Sequence, residues 1–178
     1  MSQEFRWRVD IEEVTKGFEV APAQISPDLV QAMVQQESGG DPWAYRFEPD
    51  FYDRYIKNNE KVTAPAGVSL VTEQIGRATS FGLMQIMGQV ARERGFQGRY
   101  LTALCEPTVG LLWGCRHLAR FFERHKNLDD AIASYNAGSP RKSTDGTYSN
   151  QKYVDAVKIR MKAIRGEVLT DVERRLIV

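Results

Sequence analysis

Apolar residues recur at helical spacing along most of this chain. The pattern is clearest from residue 27 onward, where Ser26 is placed to cap a helix and Pro27 fits its first position. Near the end of the chain, Thr170 with Glu173 three residues later is a capping-box pattern. The predicted helices cover residues 27–36, 79–95, 107–125, 131–136 and 151–164, with a short final helix after Thr170. The pattern therefore predicts a mainly α fold.

The stretch between the first two predicted helices breaks this pattern. Residues 43–60 are rich in aromatic side chains, and residues 61–79 are punctuated by proline and glycine, which predicts a short hairpin or a loop with a helical piece. Residues 139–150 are predicted to be a polar, mobile loop. We expect one domain with this possible β-hairpin or loop insertion. Its predicted limits are 25–166, after an N-terminal extension at 1–24 and before a short C-terminal helix within 167–178 that packs on it.

Composition and charge exclude several classes of protein. The chain has 178 residues, with 24 Lys and Arg against 23 Asp and Glu. This near-neutral balance lacks the strongly basic stripe of most nucleic-acid binders, so we expect no nucleic-acid partner. No apolar run approaches the roughly 20 residues that a membrane span needs, so no stable membrane insertion is expected. The first residues lack the pattern of a signal peptide. We expect a monomer.

The cysteines and histidines suggest neither a disulfide nor a metal site. Cys105 and Cys115 lie in or beside one helical run, which places them about 15 Å apart. Bridged Cα atoms lie within roughly 7 Å, so these residues are predicted to be free, buried thiols. His117 and His125 lack a metal-binding spacing and are predicted to have structural or surface roles. We expect no metal and no cofactor.

Glu37 is the first candidate for chemistry. It follows Val30 by seven residues, so it lies within about 20° of the apolar face of its helix. A carboxylate on that side pays desolvation in its charged form, which suits a group that donates a proton near neutral pH. The alternative is a glutamate that points to solvent at a frayed helix end.

Two further clusters carry polar groups beside glycine. In residues 80–86, Gly82 would let a ligand or another segment approach closely, and Gln85 offers both a donor and an acceptor. In residues 133–138, a phenol and an amide lie side by side at a helix end. Taken alone, each cluster also fits an ordinary structural role, the first as a helix opening on the core and the second as a C-cap at Gly138.

The three clusters together carry a resemblance. Glu37-Ser38, then GLMQI at 82–86, then SYNAG at 134–138, in this order and with helices between them, closely resemble the lysozyme-like lytic transglycosylases of the soluble Slt type, which cleave peptidoglycan. The resemblance covers roughly residues 25–165. It implies that Glu37 is the single catalytic acid and base. The substrate-binding or supporting residues that it implies are Ser38, Ser80, Met84, Gln85, Tyr135, Asn136 and Tyr153, the last as a hydrogen-bond donor to the catalytic carboxyl.

The chain departs from that family at two places. The interval from Glu37 to Gly82 is longer than usual and holds the aromatic stretch from Trp43 to Tyr55. We expect this stretch, with Tyr45 and Tyr52, to form part of the glycan groove, and core packing is the competing interpretation. Ser149 stands where the family commonly has glutamate, four residues before Tyr153, which weakens the assignment of that tyrosine.

The resemblance also implies a mechanism and a partner. Glu37 would protonate the glycosidic oxygen between MurNAc and GlcNAc, then take a proton from the sugar's own 6-hydroxyl, so that a 1,6-anhydro ring closes without water. The partners would be peptidoglycan glycan strands. One alternative is a hydrolytic muramidase in which Asp41, Glu48 or Glu73 helps a water molecule to attack. Another is a non-catalytic glycan-binding virion protein.

The same resemblance bears on origin and delivery. Without a recognisable signal peptide, we expect a phage-encoded or phage-derived, bacteriolytic enzyme of the endolysin kind. It would act on the cell wall, in the periplasm or outside the cell, after delivery by a phage particle, through another protein's pore or by a specialised secretion system.

Overall fold

The computed structural model describes residues 5–18 and 25–177, and within them helix dominates. The α-helices are α1 (Arg8–Lys16), α2 (Pro27–Glu37), α3 (Pro49–Phe51), α4 (Leu70–Arg77), α5 (Gly88–Glu93), α6 (Pro107–His125), α7 (Leu128–Ala137), α8 (Gln151–Ile164) and α9 (Asp171–Leu176). A π-helical turn spans Tyr52–Ile56 and a 3₁₀ helix spans Leu101–Cys105. The strands are β1 (Tyr45–Phe47), β2 (Thr79–Phe81) and β3 (Ile86–Met87). The predicted mainly α fold with a small β element is confirmed.

The chain divides into two compact units. The helical unit comprises the described residues up to Gln36 and those from Cys115 onward, and the sheet unit comprises Glu37–Gly114. In the helical unit, Asp28 at the start of α2 forms ion pairs with Arg8 of α1 at 2.9 Å and with Arg165, just after α8, at 3.2 Å. Lys158 of α8 pairs with Asp129 of α7 at 2.7 Å. Two of these ion pairs join consecutive helices, and the pair of Arg165 with Asp28 joins the two ends of the helical unit.

The sheet unit is built around three short antiparallel strands in the order β1-β2-β3. One apolar cluster joins the sheet to α5, the 3₁₀ helix and the first half of α6, and it includes Phe81, Ile86, Leu104 and Trp113. A second, smaller cluster of Ile56, Val62 and Ala78 packs against the π-helical turn.

The prediction of a helix over residues 79–95 is wrong for its first half. Residues 79–87 form the β2–β3 hairpin, and the helix begins only at Gly88. The turn contains Gly82 with φ 72° and Gln85 with φ 45°, both in the left-handed region that an α-helix does not use. The apolar spacing of this segment arises because its buried residues face two different neighbours. The expected helix end at Gly95 is present, with φ 94°.

Other elements match the sequence more closely. Helices α2, α6 and α8 have the predicted bounds within one residue, and α9 carries the predicted capping box at Thr170. Helix α4 is the helical piece that was expected within residues 61–79. Of the strands, only the first residue of β2, Thr79, falls in that range. Helix α1 was not predicted, because its charged residues obscure the apolar spacing. It falls in the predicted N-terminal extension, of which residues 1–4 and 19–24 lie outside the described residues.

The described residues include both cysteines and all the helices given above. Cys105 and Cys115 are both free and buried, as predicted. Within residues 5–18 and 25–177, no helix is long and apolar enough to cross a membrane.

Candidate active site

Glu37 is the last residue of α2 and is half-buried. The next residue connects this helix end to the β2–β3 turn: Ser38 Oγ donates to the carbonyl of Leu83 at 2.9 Å and accepts from the Gly40 amide at 3.2 Å. Gly39 and Gly40 follow at φ 63° and 89°, so the chain reverses directly after the catalytic candidate. Ser38 thus holds the backbone that directly follows Glu37.

The β2–β3 turn is held by its own side chains. Gln85 donates from Nε2 to the carbonyls of Ala44 at 2.9 Å and Gly82 at 3.0 Å. Met84 is fully buried and packs on Gly114, where an added Cβ would lie 2.4 Å from its Sδ. Met84 and the Gln85 amide therefore shape the turn from within, which differs from the predicted direct lining of a saccharide groove.

The sheet places the predicted site residues on two faces. Ser80 pairs with Arg46 of β1 and with Met87 of β3, so these three side chains share one face. Tyr45 pairs with Phe81 and lies on the other face. Ser80 and Tyr45, both predicted to contact the glycan, therefore do not line the same surface of the sheet.

A large concave cavity opens on the Tyr45 face. Its volume is about 640 Å³, and its lining is predominantly apolar. Trp43 and Tyr45 are each 72% exposed at its edge, and Phe47 is 40% exposed. The sequence analysis singled out the aromatic stretch but missed Trp43 and Phe47 as individual site residues.

Tyr52 has a different environment. It is half-buried, packs against the cluster of Ile56, Val62 and Ala78, and its ring centroid lies 5.7 Å from that of Phe47. Tyr52 is absent from the cavity lining. Its contacts fit the core-packing interpretation that the sequence left open for this stretch.

Three carboxylates were candidates for activating a water molecule in a hydrolytic reaction, and each of them makes hydrogen bonds or an ion pair within the protein. Glu73 is 2% exposed and accepts from Arg77 Nε at 2.8 Å and from Arg92 Nε and Nη2 at 2.8 and 2.9 Å. Burial alone would raise the pKa of Glu73, but the hydrogen bonds from Arg92 and Arg77 outweigh it and lower that pKa. Glu48 is paired with Arg46. Asp41 accepts from the backbone amide of Trp43 at 2.9 Å.

In the helical unit, Tyr135 and Asn136 lie in the last turn of α7. Tyr135 is half-buried, with its ring centroid 5.2 Å from that of His117. Asn150 Nδ2 donates to Asn136 Oδ1 at 2.9 Å and to the Ala133 carbonyl at 3.0 Å. Asn136 is exposed, and its side chain is linked to the start of α8 through Asn150. Asn150, at the start of α8, was missed by the sequence analysis because it belongs to none of the motifs.

Tyr153 lies in the first turn of α8 and is half-buried. Residues 139–150 before it form the predicted polar loop, and the loop is attached to α7. Asp130 accepts from Lys142 at 2.7 Å and from the Tyr148 hydroxyl, and these hydrogen bonds lower the pKa of Asp130. The start of α8 is therefore fixed to α7 by Tyr148 as well as by Asn150.

The part of the chain that the structure describes contains no group of three or more His, Cys, Asp or Glu side chains that could hold a metal ion.

Comparison with known proteins identifies the class. The transglycosylase SLT domain matches residues 19–157 of this chain. The chain therefore belongs to the transglycosylase SLT domain family, whose members are lysozyme-like, mainly α lytic transglycosylases that act on peptidoglycan. Comparisons with characterised proteins and with solved structures give no significant match.

Proposed function

We propose that this protein is a lytic transglycosylase that cleaves the β-1,4 bond between MurNAc and GlcNAc with Glu37 as its only acid and base. Protonated Glu37 gives its proton to the glycosidic oxygen, and the bond from that oxygen to C1 of MurNAc breaks. The N-acetyl group of MurNAc stabilises the developing oxocarbenium ion. The Glu37 carboxylate then takes the proton of the MurNAc 6-hydroxyl, whose oxygen bonds to C1, so a 1,6-anhydro ring closes and no water is consumed.

The observation that carries this proposal is the state of the other carboxylates. A two-carboxylate hydrolase needs a second group roughly 5–9.5 Å from the acid, available to activate water or to attack. Glu73 is buried between two guanidinium groups, and its lowered pKa makes it a weak base. Glu48 is paired with Arg46, and Asp41 is bonded to the Trp43 amide. These engagements favour the lytic reaction over the hydrolytic alternative.

The supporting roles follow from the family resemblance and the local contacts. Ser38 holds the helix end that carries Glu37, through its bond to the Leu83 carbonyl. Met84 and Gln85 support the hairpin from within, while Ser80 faces the scissile sugars. Asn136, which is exposed at the end of α7, donates to a sugar acceptor such as an N-acetyl carbonyl. Tyr135 contacts the sugar, and Tyr153 donates to the Glu37 carboxyl.

Product analysis tests the proposal. Purified peptidoglycan is digested and the muropeptides are weighed by mass spectrometry: the lytic reaction yields 1,6-anhydro ends, which are one water lighter than the reducing ends that hydrolysis leaves. Glu37→Gln keeps size and polarity and should lower the rate at least ~10² to 10⁴-fold, because the proton donor is gone. Glu48→Gln is the matched control and should remain active.

Two outcomes would contradict the proposal. Reducing ends in place of anhydro ends would establish the muramidase alternative. A folded Glu37→Gln variant, checked by circular dichroism, that clears peptidoglycan at the wild-type rate would show that Glu37 is misassigned. Binding without cleavage by the wild-type protein would favour the non-catalytic glycan-binding protein.

The origin and setting of the protein are part of the same proposal. Action on peptidoglycan would take place at the cell wall, after delivery by a phage particle, a pore or a secretion system. We also propose that the protein works as a monomer, which size-exclusion chromatography with light scattering tests directly.

A further inference from the structure

The cavity lies on the face of the sheet opposite to the Ser80 side chain. Tyr45, Phe47, Thr79 and Phe81 alternate with Arg46 and Ser80 along β1 and β2, so the strands separate the cavity from the Ser80 side chain. We propose that this cavity is a second carbohydrate-binding site, which holds a neutral stretch of the glycan strand away from the bond that is cleaved. This inference rests on the proposed action on peptidoglycan.

The size of the cavity and its rings fit a saccharide. Cavities that bind small ligands usually measure about 300–1,000 Å³ and are lined mainly by apolar and aromatic side chains. This cavity, at about 640 Å³, lies in that range. Trp43 and Tyr45 are 72% exposed at its edge, and their flat faces match the apolar C–H faces of pyranose rings. Exposed rings beside a concave surface are more typical of a binding site than of a core.

The charge of the lining selects the kind of ligand. Within the part of the chain that the structure describes, no Asp, Glu, Lys, Arg or His residue lines the cavity. Of its three threonines, Thr72 is hydrogen-bonded to Ser69 and Thr79 donates to the Ile75 carbonyl. Contact with a neutral sugar would therefore fall mainly to the rings of Trp43 and Tyr45 and to the exposed Thr102. Peptide stems of peptidoglycan carry free carboxylates and an amino group, which would be desolvated here without partners. A GlcNAc-containing stretch of glycan is therefore favoured over the peptide stem.

A second attachment to the polymer has a direct consequence for binding. When one strand or its neighbour is held in the cavity, the next binding event becomes intramolecular and the effective concentration of glycan rises. The chain would thus remain on insoluble peptidoglycan between cleavage events. The effect should appear on long glycans.

The binding test uses the Glu37→Gln protein, so that cleavage plays no part. The probes are sacculi and chitin, a neutral GlcNAc polymer without stem peptides or lactyl carboxylates, and bound protein is measured by co-sedimentation. Trp43→Ala removes an exposed ring, and Thr102→Trp fills the cavity while both rings remain. Each should weaken binding to chitin about tenfold, as for the loss of an aromatic anchor. Tyr55→Ala is the matched control, because Tyr55 is 58% exposed in the same unit but does not line the cavity.

Tryptophan fluorescence gives an independent measurement. All three tryptophans lie within the described ranges, and Trp43 is 72% exposed while Trp7 and Trp113 are 9% and 8% exposed. Titration with chitotetraose, a neutral GlcNAc oligomer, should shift the emission of the Glu37→Gln protein. The shift should disappear in Trp43→Phe.

Two results would contradict the proposal of a second carbohydrate-binding site. Unchanged binding of chitin in both Trp43→Ala and Thr102→Trp would do so, provided that circular dichroism shows both to be folded. Equally, a loss seen only with sacculi that retain their stem peptides would assign the cavity to peptide. Failure of the proposed cleavage is separable, since it would appear as the absence of anhydro products from the wild-type protein while the binding results stand.

Discussion

Glu73 shows how an environment decides the chemistry of a residue. Its carboxylate is buried, yet it stays charged because Arg77 and Arg92 together donate three hydrogen bonds to it. Arg77 lies four residues away on α4, a pairing that sequence spacing can anticipate. Arg92 lies on α5, beyond the β2–β3 hairpin, and only the fold brings it close. For this reason the sequence left Glu73 open as a catalytic candidate, and the structure favours a structural role.

The ion pairs of Glu73 predict a pH dependence of stability. Its pKa lies below the ordinary 4.5 in the folded state, so the carboxylate stabilises the fold above about pH 4.5 and this contribution is lost as the pH falls toward the folded-state pKa. Glu73→Gln should lower the free energy of unfolding at pH 7 by about 3–5 kcal/mol, since two guanidinium groups lose their partner. Urea unfolding at pH 7 and at pH 3.5 measures this, and the difference from wild type should shrink at the lower pH.

Glu60→Gln is the control for that measurement, because Glu60 is exposed in a loop of the same unit. It should unfold like the wild type at both pH values. A Glu73→Gln variant with wild-type stability at pH 7 would mean that the ion pairs contribute no net stability.

Tyr153 remains a prediction from the resemblance, and its test needs a measurement that packing alone would not change. Tyr153→Phe keeps the ring and removes one hydroxyl, whose hydrogen bond to a charged group is worth up to about 3 kcal/mol. The cleavage rate should fall about tenfold to a hundredfold, with little change in melting temperature. The alkaline limb of the pH–rate profile, along which Glu37 loses its proton, should also move to higher pH, since charged Glu37 loses a donor. An unchanged rate and profile would make Tyr153 a packing residue only.

Among the elements, most helices and the presence of a small β-hairpin were predicted, but the position of the hairpin was not. Helices α2, α6 and α8 carry their own apolar faces, and α9 has its capping box, so local signals sufficed. Residues 79–87 have apolar positions that also fit helical spacing. Their strand structure depends on pairing with Tyr45–Phe47, more than thirty residues earlier. Pairing between segments so far apart in the chain produces no periodic pattern of apolar residues in the local sequence.

Gly82 is the residue on which the hairpin turn depends most. It has φ 72°, and a Cβ added there would lie 2.3 Å from the carbonyl oxygen of Leu104. Gly138, which ends α7, has a similar φ of 75° but open space around it. Gly138→Ala should therefore cost about 1 kcal/mol, from backbone strain alone. Gly82→Ala should cost at least about 2 kcal/mol more, because the Leu104 backbone must also move.

Chemical denaturation of the two variants measures that difference. Since both substitutions add one methyl group at a positive φ, their comparison isolates the steric contact. Equal losses of stability would show that the 3₁₀ helix at Leu101–Cys105 yields without cost.

For the whole molecule, the sequence identified the family, while the candidate site residues stay predictions. The ordered motifs at Glu37, Gly82 and Ser134 were sufficient, because each is local and the order is specific. The cavity was not predictable in the same way. Its lining comes from β1, β2, α4 and the 3₁₀ helix, and a concave surface is a property of their packing.

The two thiols give a prediction for the intact chain. Both cysteines are free and buried, and burial raises the pKa of Cys105 and raises that of Cys115 to about 12. A reducing agent should leave the melting temperature unchanged, since there is no disulfide to break. A thiol reagent should react slowly with the native protein at neutral pH and should count two thiols after unfolding. A melting temperature that falls on reduction would contradict this.

The division of the chain between the two units has a consequence for biosynthesis. The sheet unit is one uninterrupted stretch, Glu37–Gly114, whereas the helical unit needs segments from both sides of it. During translation the sheet unit is complete before α7 and α8 have been made, so it is able to fold while the ribosome is still adding residues. The helical unit must wait for the last helices and must close a long loop, which costs entropy. Glu37, the proposed catalytic residue, opens the stretch that is able to fold first.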